Sequence, residues 1–308
     1  MTDRTCVIYN PIAGRGKARR QIDAARAAVA PDAEVRATEG PGHAEELATR
    51  AAAEGFTRVI AAGGDGTVHE VANGLLAGSD RGVVLGIWPL GSMNDYAFTL
   101  GLTEWWKLAD RPPLDAVAAD VGAGSAGGKS RRFVNCAGVG FNGMVTIESR
   151  KIRWLRGLPL YTLAFLKAMW KHYTTPIMTL DLNDSPTVAP TLAFSICLGQ
   201  REGGFPLAAA ARVDDGQFYF VHVTDLPRWE LVRYLPALIT GNLPIGHPKL
   251  RVGSCGHATV TSPAPLCVHV DGEFLCRPED GVTAVTFDLE PSRLRVEAYR
   301  PGMYGKWK

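Results

Sequence analysis

Arg58-Val-Ile-Ala-Ala-Gly63-Gly64-Asp65-Gly66-Thr67-Val68-His69-Glu70 reads as a continuous passage from strand to turn to helix. Arg58–Ala62 is an apolar run of strand length, and Val68–Leu76 has helical composition. The glycines let the backbone come close to a polyphosphate at points where a Cβ would collide. The helix opening at about Val68 aims unpaired N–H groups and the positive end of its dipole at the same place. Asp65 is then positioned to hold a hydrated magnesium ion, and Thr67 to donate a hydrogen bond. The alternative is a tight strand-to-helix turn that needs glycine only for its geometry. A carboxylate set among glycines at a strand end favours the nucleotide.

Working outward, Cys6–Tyr9 reads as a buried strand ending in the turn Asn10-Pro-Ile-Ala-Gly14. Gly16–Val29 reads as a helix, Ala33–Ala37 as a strand and His43–Glu54 as a helix; Val83–Trp88 is a further strand and Met93–Leu100 a further helix. Strands alternating with helices imply crossover connections and a largely parallel sheet. In such a sheet the loops after the strands converge on one crevice. Asn10-Pro-Ile-Ala-Gly-Arg-Gly-Lys17 and Pro89-Leu-Gly-Ser-Met-Asn-Asp-Tyr96 are two such loops, rich in glycine, amide, hydroxyl and basic groups. Arg15 and Lys17 are candidates to neutralise phosphate charge, with a solvated surface the alternative for Arg15.

Composition shifts at Gly122–Lys129, which reads as a flexible linker. A helical pair is expected over Gly143–His172. Strands are expected at Ile177–Leu182, Thr191–Leu198, Phe218–Val223, Arg251–Val252, Ala258–Thr261, Leu266–Val270 and Val282–Leu289. Short strands at close spacing suggest an antiparallel sandwich. The expected fold class is α/β + β: a doubly wound N-terminal α/β domain over residues 1–125 and a C-terminal antiparallel β-sandwich over 126–289. The tail 290–308 is a candidate to pack back on the first domain.

The 308 residues suffice for two domains of ordinary size, and 46% hydrophobic with 21% charged residues is average for a globular chain. A net charge of +2 gives no reason to expect a nucleic-acid partner. The six cysteines are scattered without a C-x-x-C pair, as suits reduced, buried thiols. The N-terminus lacks a signal-peptide pattern, and no apolar run reaches the roughly 18 residues of a membrane span. A cytoplasmic protein that meets a membrane peripherally, from the inner face, is expected.

Asn10-Pro-x-x-Gly14, Gly63-Gly-Asp-Gly-Thr67, Gly91-Ser-Met-Asn-Asp95 and Asp271-Gly-Glu273 occur in the order seen in the diacylglycerol kinase catalytic-domain family, which the chain resembles nearly end to end. That family includes bacterial diacylglycerol and YegS-like lipid kinases and is related to sphingosine and ceramide kinases. Thr38 followed by Gly42-His-Ala, Phe133-Val-Asn-Cys-Ala-Gly-Val-Gly-Phe-Asn142, Gly203-Gly-Phe and Asp214-Asp-Gly extend the match. The resemblance implies an NAD-kinase-like first domain and ATP in a crevice between the domains. It implies ATP contacts at Asn10, Pro11, Ile12, Ala13, Gly14, Thr38, Gly64, Asp65, Gly66, Thr67, Val68, His69, Glu70, Ser92 and Asn94. Asp65, Asp95 and Asp120 match an acidic network around magnesium. Arg212, Asp215 and Gln217 match a structural metal site, Arg212 and Gln217 through backbone carbonyls. Asp271 and Glu273 match the motif of the catalytic base, and which of them acts stays open.

A carboxylate is physically reasonable there, because a lipid hydroxyl must lose its proton as it attacks the γ-phosphorus. A hairpin turn is the alternative reading of Asp271-Gly-Glu273. Departures from the family pattern are Ser92 for the usual Thr, His69 where Asn is frequent, Asn142 where Asp is common, and Gln200 for the usual Asn. Arg150–His172 mixes Arg150, Lys151, Arg153, Arg156, Lys167 and Lys171 with Trp154, Leu155, Tyr161, Phe165 and Trp170. It reads either as a membrane-surface segment or as a packed helix with a solvated basic side, and Tyr299–Lys308 raises the same question. The expected activity is transfer of the γ-phosphoryl group of MgATP to a lipid hydroxyl, diacylglycerol or a related lipid. An NAD kinase and a catalytically quiet lipid- or nucleotide-binding protein are the alternatives, and a homodimer stays open.

Overall fold

A computed structural model of the chain describes residues 4–16, 18–78 and 82–300. The chain divides into two compact units, one running to Ala119 and resuming at Ser292, the other Asp120–Pro291. Lys17, the Arg15 side chain and residues 301–308 of the basic-aromatic tail lie outside what is described.

The first unit alternates strand and helix as the apolar runs predict: β1 (Thr5–Tyr9), α1 (Ala18–Val29), β2 (Glu34–Ala37), α2 (His43–Ala53), β3 (Arg58–Gly63), α3 (Asp65–Ala77), β4 (Val84–Pro89), α4 (Asp95–Thr99) and α5 (Leu102–Trp105). The strands lie in the order β2-β1-β3-β4, each pair parallel. Val7, Ile60 and Ala62 of the sheet pack with Ile22 and Ala25 of α1 and with Trp88. Burying such aliphatic side chains contributes about 1.5–3 kcal/mol each relative to leaving them exposed. The helices α2 and α3 touch closely, since a Cβ on Gly74 would lie 2.3 Å from the Glu45 carbonyl oxygen.

The second unit contains the end of β5 (Asp115–Ala126), then β6 (Lys129–Phe133), β7 (Cys136–Gly140), α6 (Phe141–Lys151), α7 (Gly157–Lys171), β8 (Ile177–Leu182), β9 (Pro186–Pro190), β10 (Ala193–Cys197), β11 (Phe218–Val223), α8 (Arg228–Thr240), β12 (Leu250–Cys255), β13 (His257–Thr261), β14 (Val268–Val270), β15 (Glu273–Cys276) and the first half of β16 (Ala284–Ala298). One sheet runs β12-β11-β10-β7-β14-β15, all antiparallel. Phe194, Phe218 and Val268 from it pack with Phe133, Leu180, Val260 and Phe287 from the facing strands, and Phe133 stacks on Phe218 with centroids 5.8 Å apart. The expected α/β domain and antiparallel β-sandwich are thus both present.

Several elements differ from expectation. Gly122–Lys129 is no linker: β5 and β6 pair antiparallel through it, with Gly127 and Gly128 at positive φ in the turn. Small residues suit the strand here, because a Cβ on Gly122 would collide with the Phe133 ring. α8 and β9 were not foreseen; α8 carries Pro236 inside it, and β9 is bounded by prolines at an edge, both of which weaken a sequence signal. β16 runs past the expected end at Leu289. Its Ala284–Asp288 pairs antiparallel with β13 in the second unit, and Arg295 and Val296 pair parallel with β4 in the first.

α6 and α7 are pinned by Glu148, whose side chain is 1% exposed and lies 2.7 Å from Lys151 Nζ, 3.1 Å from His172 Nε2 and 3.8 Å from Lys171 Nζ. The hydrogen bond from Lys151, opposed by burial and reinforced by His172, lowers this carboxyl to about 2. A carboxyl depressed on folding adds stability above its unfolded value near 4.3, and that stability is lost as pH falls toward the folded value. Glu148→Gln is expected to lower unfolding free energy by about 1–2 kcal/mol at pH 7, discounted for the exposed lysines. In denaturant titrations the gap from wild type should shrink steadily from pH 5 to pH 2.

Candidate active site

Because β1, β2, β3 and β4 are parallel, their ends at Tyr9, Ala37, Gly63 and Pro89 lie along one sheet edge. The loops marked in the sequence leave from that edge and are fastened by backbone hydrogen bonds. Asn10 N–H donates to the Ala62 oxygen at 3.0 Å, and Asn10 Oδ1 accepts the Ile12 N–H at 3.1 Å. Thr38 N–H donates to the Tyr9 oxygen at 2.9 Å; Leu90 and Gly91 N–H groups donate to the Gly63 oxygen at 2.9 and 3.1 Å.

Carboxylates fasten the same loops from further away. Asp65 Oδ1 accepts the Asp95 N–H at 2.7 Å and its Oδ2 the Asn94 N–H at 2.9 Å, supplying acceptors at the start of α4. Burial pushes the Asp65 carboxyl up, and these backbone N–H groups oppose the shift. Glu70 Oε1 and Oε2 accept the Gly42 and Ala44 N–H groups at 2.9 and 3.1 Å, capping α2. Asn94, at φ 54°, accepts the Gly91 N–H on its own Oδ1 at 2.9 Å. The side chains of Asp65, Glu70 and Asn94 therefore shape the loops. Thr67, Val68 and His69 are 7%, 4% and 1% exposed, so Val68 and His69 present only backbone to the loop edge.

The remaining expected positions, Asn10 to Gly14, Thr38, Gly64 and Ser92 on the loops and Gly66 in the first turn of α3, keep some surface open. A Cβ on Gly91 would stand 2.4 Å from Gly64 Cα, so these two turns touch backbone to backbone. Gly66 is different: it is exposed in the first turn of α3, and a Cβ there would meet nothing within 4 Å. Among the described residues no contact calls for glycine at 66, and a bare helix N-terminus is a place where an anion can come close to the backbone.

In the second unit the Asp271-Gly-Glu273 turn joins β14 to β15. Asp271 sits at φ 50°; its Oδ2 accepts the Val134 N–H at 2.9 Å and its Oδ1 the Asn135 and Cys136 N–H groups at 3.0 Å each. Its own N–H donates to the Cys136 oxygen at 2.7 Å. Glu273 is placed otherwise: its side chain is 54% exposed and meets Arg150 Nη2 at 2.9 Å. Arg150 also donates to the Gly272 oxygen at 2.8 Å and lies over the Phe274 ring. Arg150, read from sequence as part of either a membrane-surface segment or a packed helix with a solvated basic side, contacts this turn.

Among the described residues no group of three His, Cys, Asp or Glu side chains is arranged to hold a metal ion. Both Asp65 oxygens are engaged by backbone, which suits contact with a hydrated ion better than direct ligation. Asp120 Oδ2 accepts the Gly216 N–H at 2.7 Å, so Asp120 joins the Arg212–Gln217 loop. Burial and then the charge of Asp120 push the Asp215 carboxyl up, while Arg212 lies 3.7 Å from Asp214. Crowded carboxylates with one guanidinium beside them have the hard oxygen donors that suit a divalent cation.

Residues 4–118 match the diacylglycerol kinase catalytic domain family, and residues 135–298 match the YegS C-terminal NAD kinase beta sandwich-like domain. Over 293 residues, 94% of this chain and 93% of the relative, the chain is 31% identical to a Pseudomonas fluorescens protein named "Probable lipid kinase YegS-like". The chain belongs to the YegS-like lipid kinase family. It is also 28% identical to the diacylglycerol kinase of Bacillus subtilis over 278 residues, 88% of this chain and 90% of that one. A solved diacylglycerol kinase from Bacillus anthracis shares the fold, with a TM-score of 0.70 over 98% of both chains at 21% identity. This lipid kinase is a phosphotransferase, and membership of a kinase family implies the use of ATP.

Val134 to Cys136, marked in the sequence as part of the Phe133–Asn142 motif but without a role, clamp Asp271, and the sequence did not single out Glu202 and His269 of the lipid kinase, which lie 2.9 Å apart beside the turn. A backbone clamp has no side-chain signature, and a lone His between valines reads as core. The stapling role of Asp65 has a direct check. Asp65→Ala should lower the stability of the nucleotide-free lipid kinase by about 2–4 kcal/mol, because the Asn94 and Asp95 N–H groups lose their acceptor. An aspartate serving a bound ion alone would leave the ligand-free chemical denaturation curve unmoved.

Proposed function

We propose that the lipid kinase transfers the γ-phosphoryl group of MgATP to the hydroxyl of diacylglycerol or a similar neutral lipid, with Glu273 as general base. The observation that carries this reading is the contrast between the two carboxylates of one turn. Asp271 accepts hydrogen bonds from three backbone N–H groups, so both of its oxygens are engaged in holding the turn. Glu273 is more than half exposed and adjoins a guanidinium, which leaves oxygen free to accept a proton. The lipid oxygen attacks the γ-phosphorus, its proton passes to Glu273, and the bond from phosphorus to the bridging oxygen breaks to release ADP.

The first unit serves the donor. N–H groups of the first turn of α3, reached over Gly66, take phosphate oxygens, and the loops at Asn10–Gly14, Thr38 and Ser92 surround the nucleotide. Magnesium bound with ATP would neutralise phosphate charge, with Asp65 and Asp95 beside its hydration shell. Asp120 and Asp215, with the Arg212 and Gln217 carbonyls, would hold a structural ion.

The lipid is reached from the cytoplasmic face by peripheral contact. No helix among the described residues is long and apolar enough to cross a membrane. Trp170 and Trp229 are 79% and 62% exposed, at the end of α7 and the start of α8, where Arg228 Nε donates to the Met169 oxygen at 3.2 Å. Exposed tryptophans beside Arg228 and Lys171 suit the interface of an anionic bilayer.

Incubation with labelled ATP and a mixed lipid extract should give labelled lipid; labelled dinucleotide with no labelled lipid would overturn the reading. Glu273→Gln should lower kcat at least about 100-fold with little change in Tm. Asp271→Asn should instead lower Tm, because an amide nitrogen replaces one acceptor facing N–H donors. Trp170→Ala with Trp229→Ala should weaken sedimentation with vesicles containing phosphatidylglycerol about 10-fold while leaving turnover of a short-chain, water-soluble diacylglycerol unchanged.

A further inference from the structure

His269 stands on β14 between the buried Val268 and Val270 and is 2% exposed. An imidazole in such a place needs a partner, since an unpaired buried polar group is costly. Glu202 faces it from the loop after β10, its Oε1 2.9 Å from His269 Nε2, within ion-pair distance but outside hydrogen-bond geometry. The carboxylate is itself held, with Asn142 Nδ2 3.2 Å and Ser195 Oγ 3.3 Å from Oε2. On the other side of the ring, His269 Nδ1 accepts the Gly272 N–H at 3.4 Å.

Two backbone features aim the ring there. The β14–β15 ladder shifts register between Val268 and His269, and such an irregularity turns the side chains that follow it. Across the β14–β7 ladder His269 faces Gly138, where a Cβ would come within 2.5 Å of His269 Nε2. Bulge, glycine and carboxylate together fix one ring position.

The ring position has a chemical consequence. The Gly272 N–H can only donate, so Nδ1 is the acceptor in this contact, and the Nε2 end of the ring faces Glu202. Gly272 is then gripped on both sides, its N–H by His269 and its carbonyl oxygen by Arg150. Glu273 is the next residue. Resting on the assignment of Glu273 as base, we propose that Glu202 and His269 form a positioning pair for the acceptor turn: Glu202 orients the ring, and His269 holds Gly272 so that Glu273 meets the lipid hydroxyl. A misplacement of about 1 Å in such a group costs on the order of 100-fold in rate.

Two amides separate the ends of the ring. Asn at 269 sets an oxygen near the Nδ1 position and keeps the Gly272 contact; Gln sets its amide near Nε2 and keeps only the Glu202 contact. His269→Gln and His269→Ala are expected to lower kcat on diacylglycerol at least about 10-fold, with KM for ATP within about twofold of wild type. His269→Asn should recover kcat to within about threefold, and Glu202→Gln should resemble His269→Gln. Tm of the Gln and Asn variants should agree, so that a fold defect cannot explain the difference; a Tm gap that tracks kcat would overturn the proposal. Equal kcat in the Gln and Asn variants would also overturn it, with wild type active and the kinase reading intact. A wild type that labels no lipid would overturn the kinase reading, and the pair's role with it.

Discussion

Backbone N–H groups where a loop begins must find acceptors, and in this lipid kinase carboxylates from distant segments supply them. Asp65 serves Asn94 and Asp95, Glu70 serves Gly42 and Ala44, Asp120 serves Gly216, and Asp271 serves Val134 to Cys136. A charged acceptor makes a hydrogen bond roughly twice as strong as a neutral one. Each clamp ties loop backbone to a helix or strand end, so the loops inherit the rigidity of the sheets.

Rigidity of that kind is what phosphoryl transfer asks of a protein. Little covalent chemistry falls to the enzyme; placement of donor, acceptor and charge does most of the work. The two units answer this separately. In the first, loops on one parallel edge are locked around a helix start left bare at Gly66. In the second, one member of a carboxylate pair secures the turn and the other faces solvent. Two acidic groups two residues apart thus come to differ in role by environment alone.

The sequence made much of the fold legible, because strands in a parallel sheet are short apolar runs and the turns after them are glycine-rich. The same logic failed at Gly122–Lys129, where glycine signals room for the Phe133 ring and a hairpin turn instead of a linker. α8 was hidden by Pro236, and β9 by the prolines at its ends. At the site, the loops and the turn could be marked in the sequence, but not what holds them. A carboxylate that clamps backbone and one that faces solvent look identical in a string of letters. Arg150 shows this from the other side: it lies in a basic, aromatic stretch but reaches the turn 122 residues away. Glu202 and His269 are close only because β14 lies beside β7 and a loop after β10 folds over both, a tertiary fact with no local periodicity.

The course of β16 bears on how the chain comes to be folded. Its first half completes the antiparallel ladder with β13, and only then do Arg295 and Val296 reach β4. The second unit is therefore an insertion within the first, and during synthesis β4 leaves the ribosome long before its partner does. Until then one margin of the parallel sheet is an open row of peptide groups, the kind of surface on which chains pair wrongly. Arg58, on β3, meets Glu297, which follows the last paired residues of β16. The first unit, though it opens the sequence, is the last to be closed.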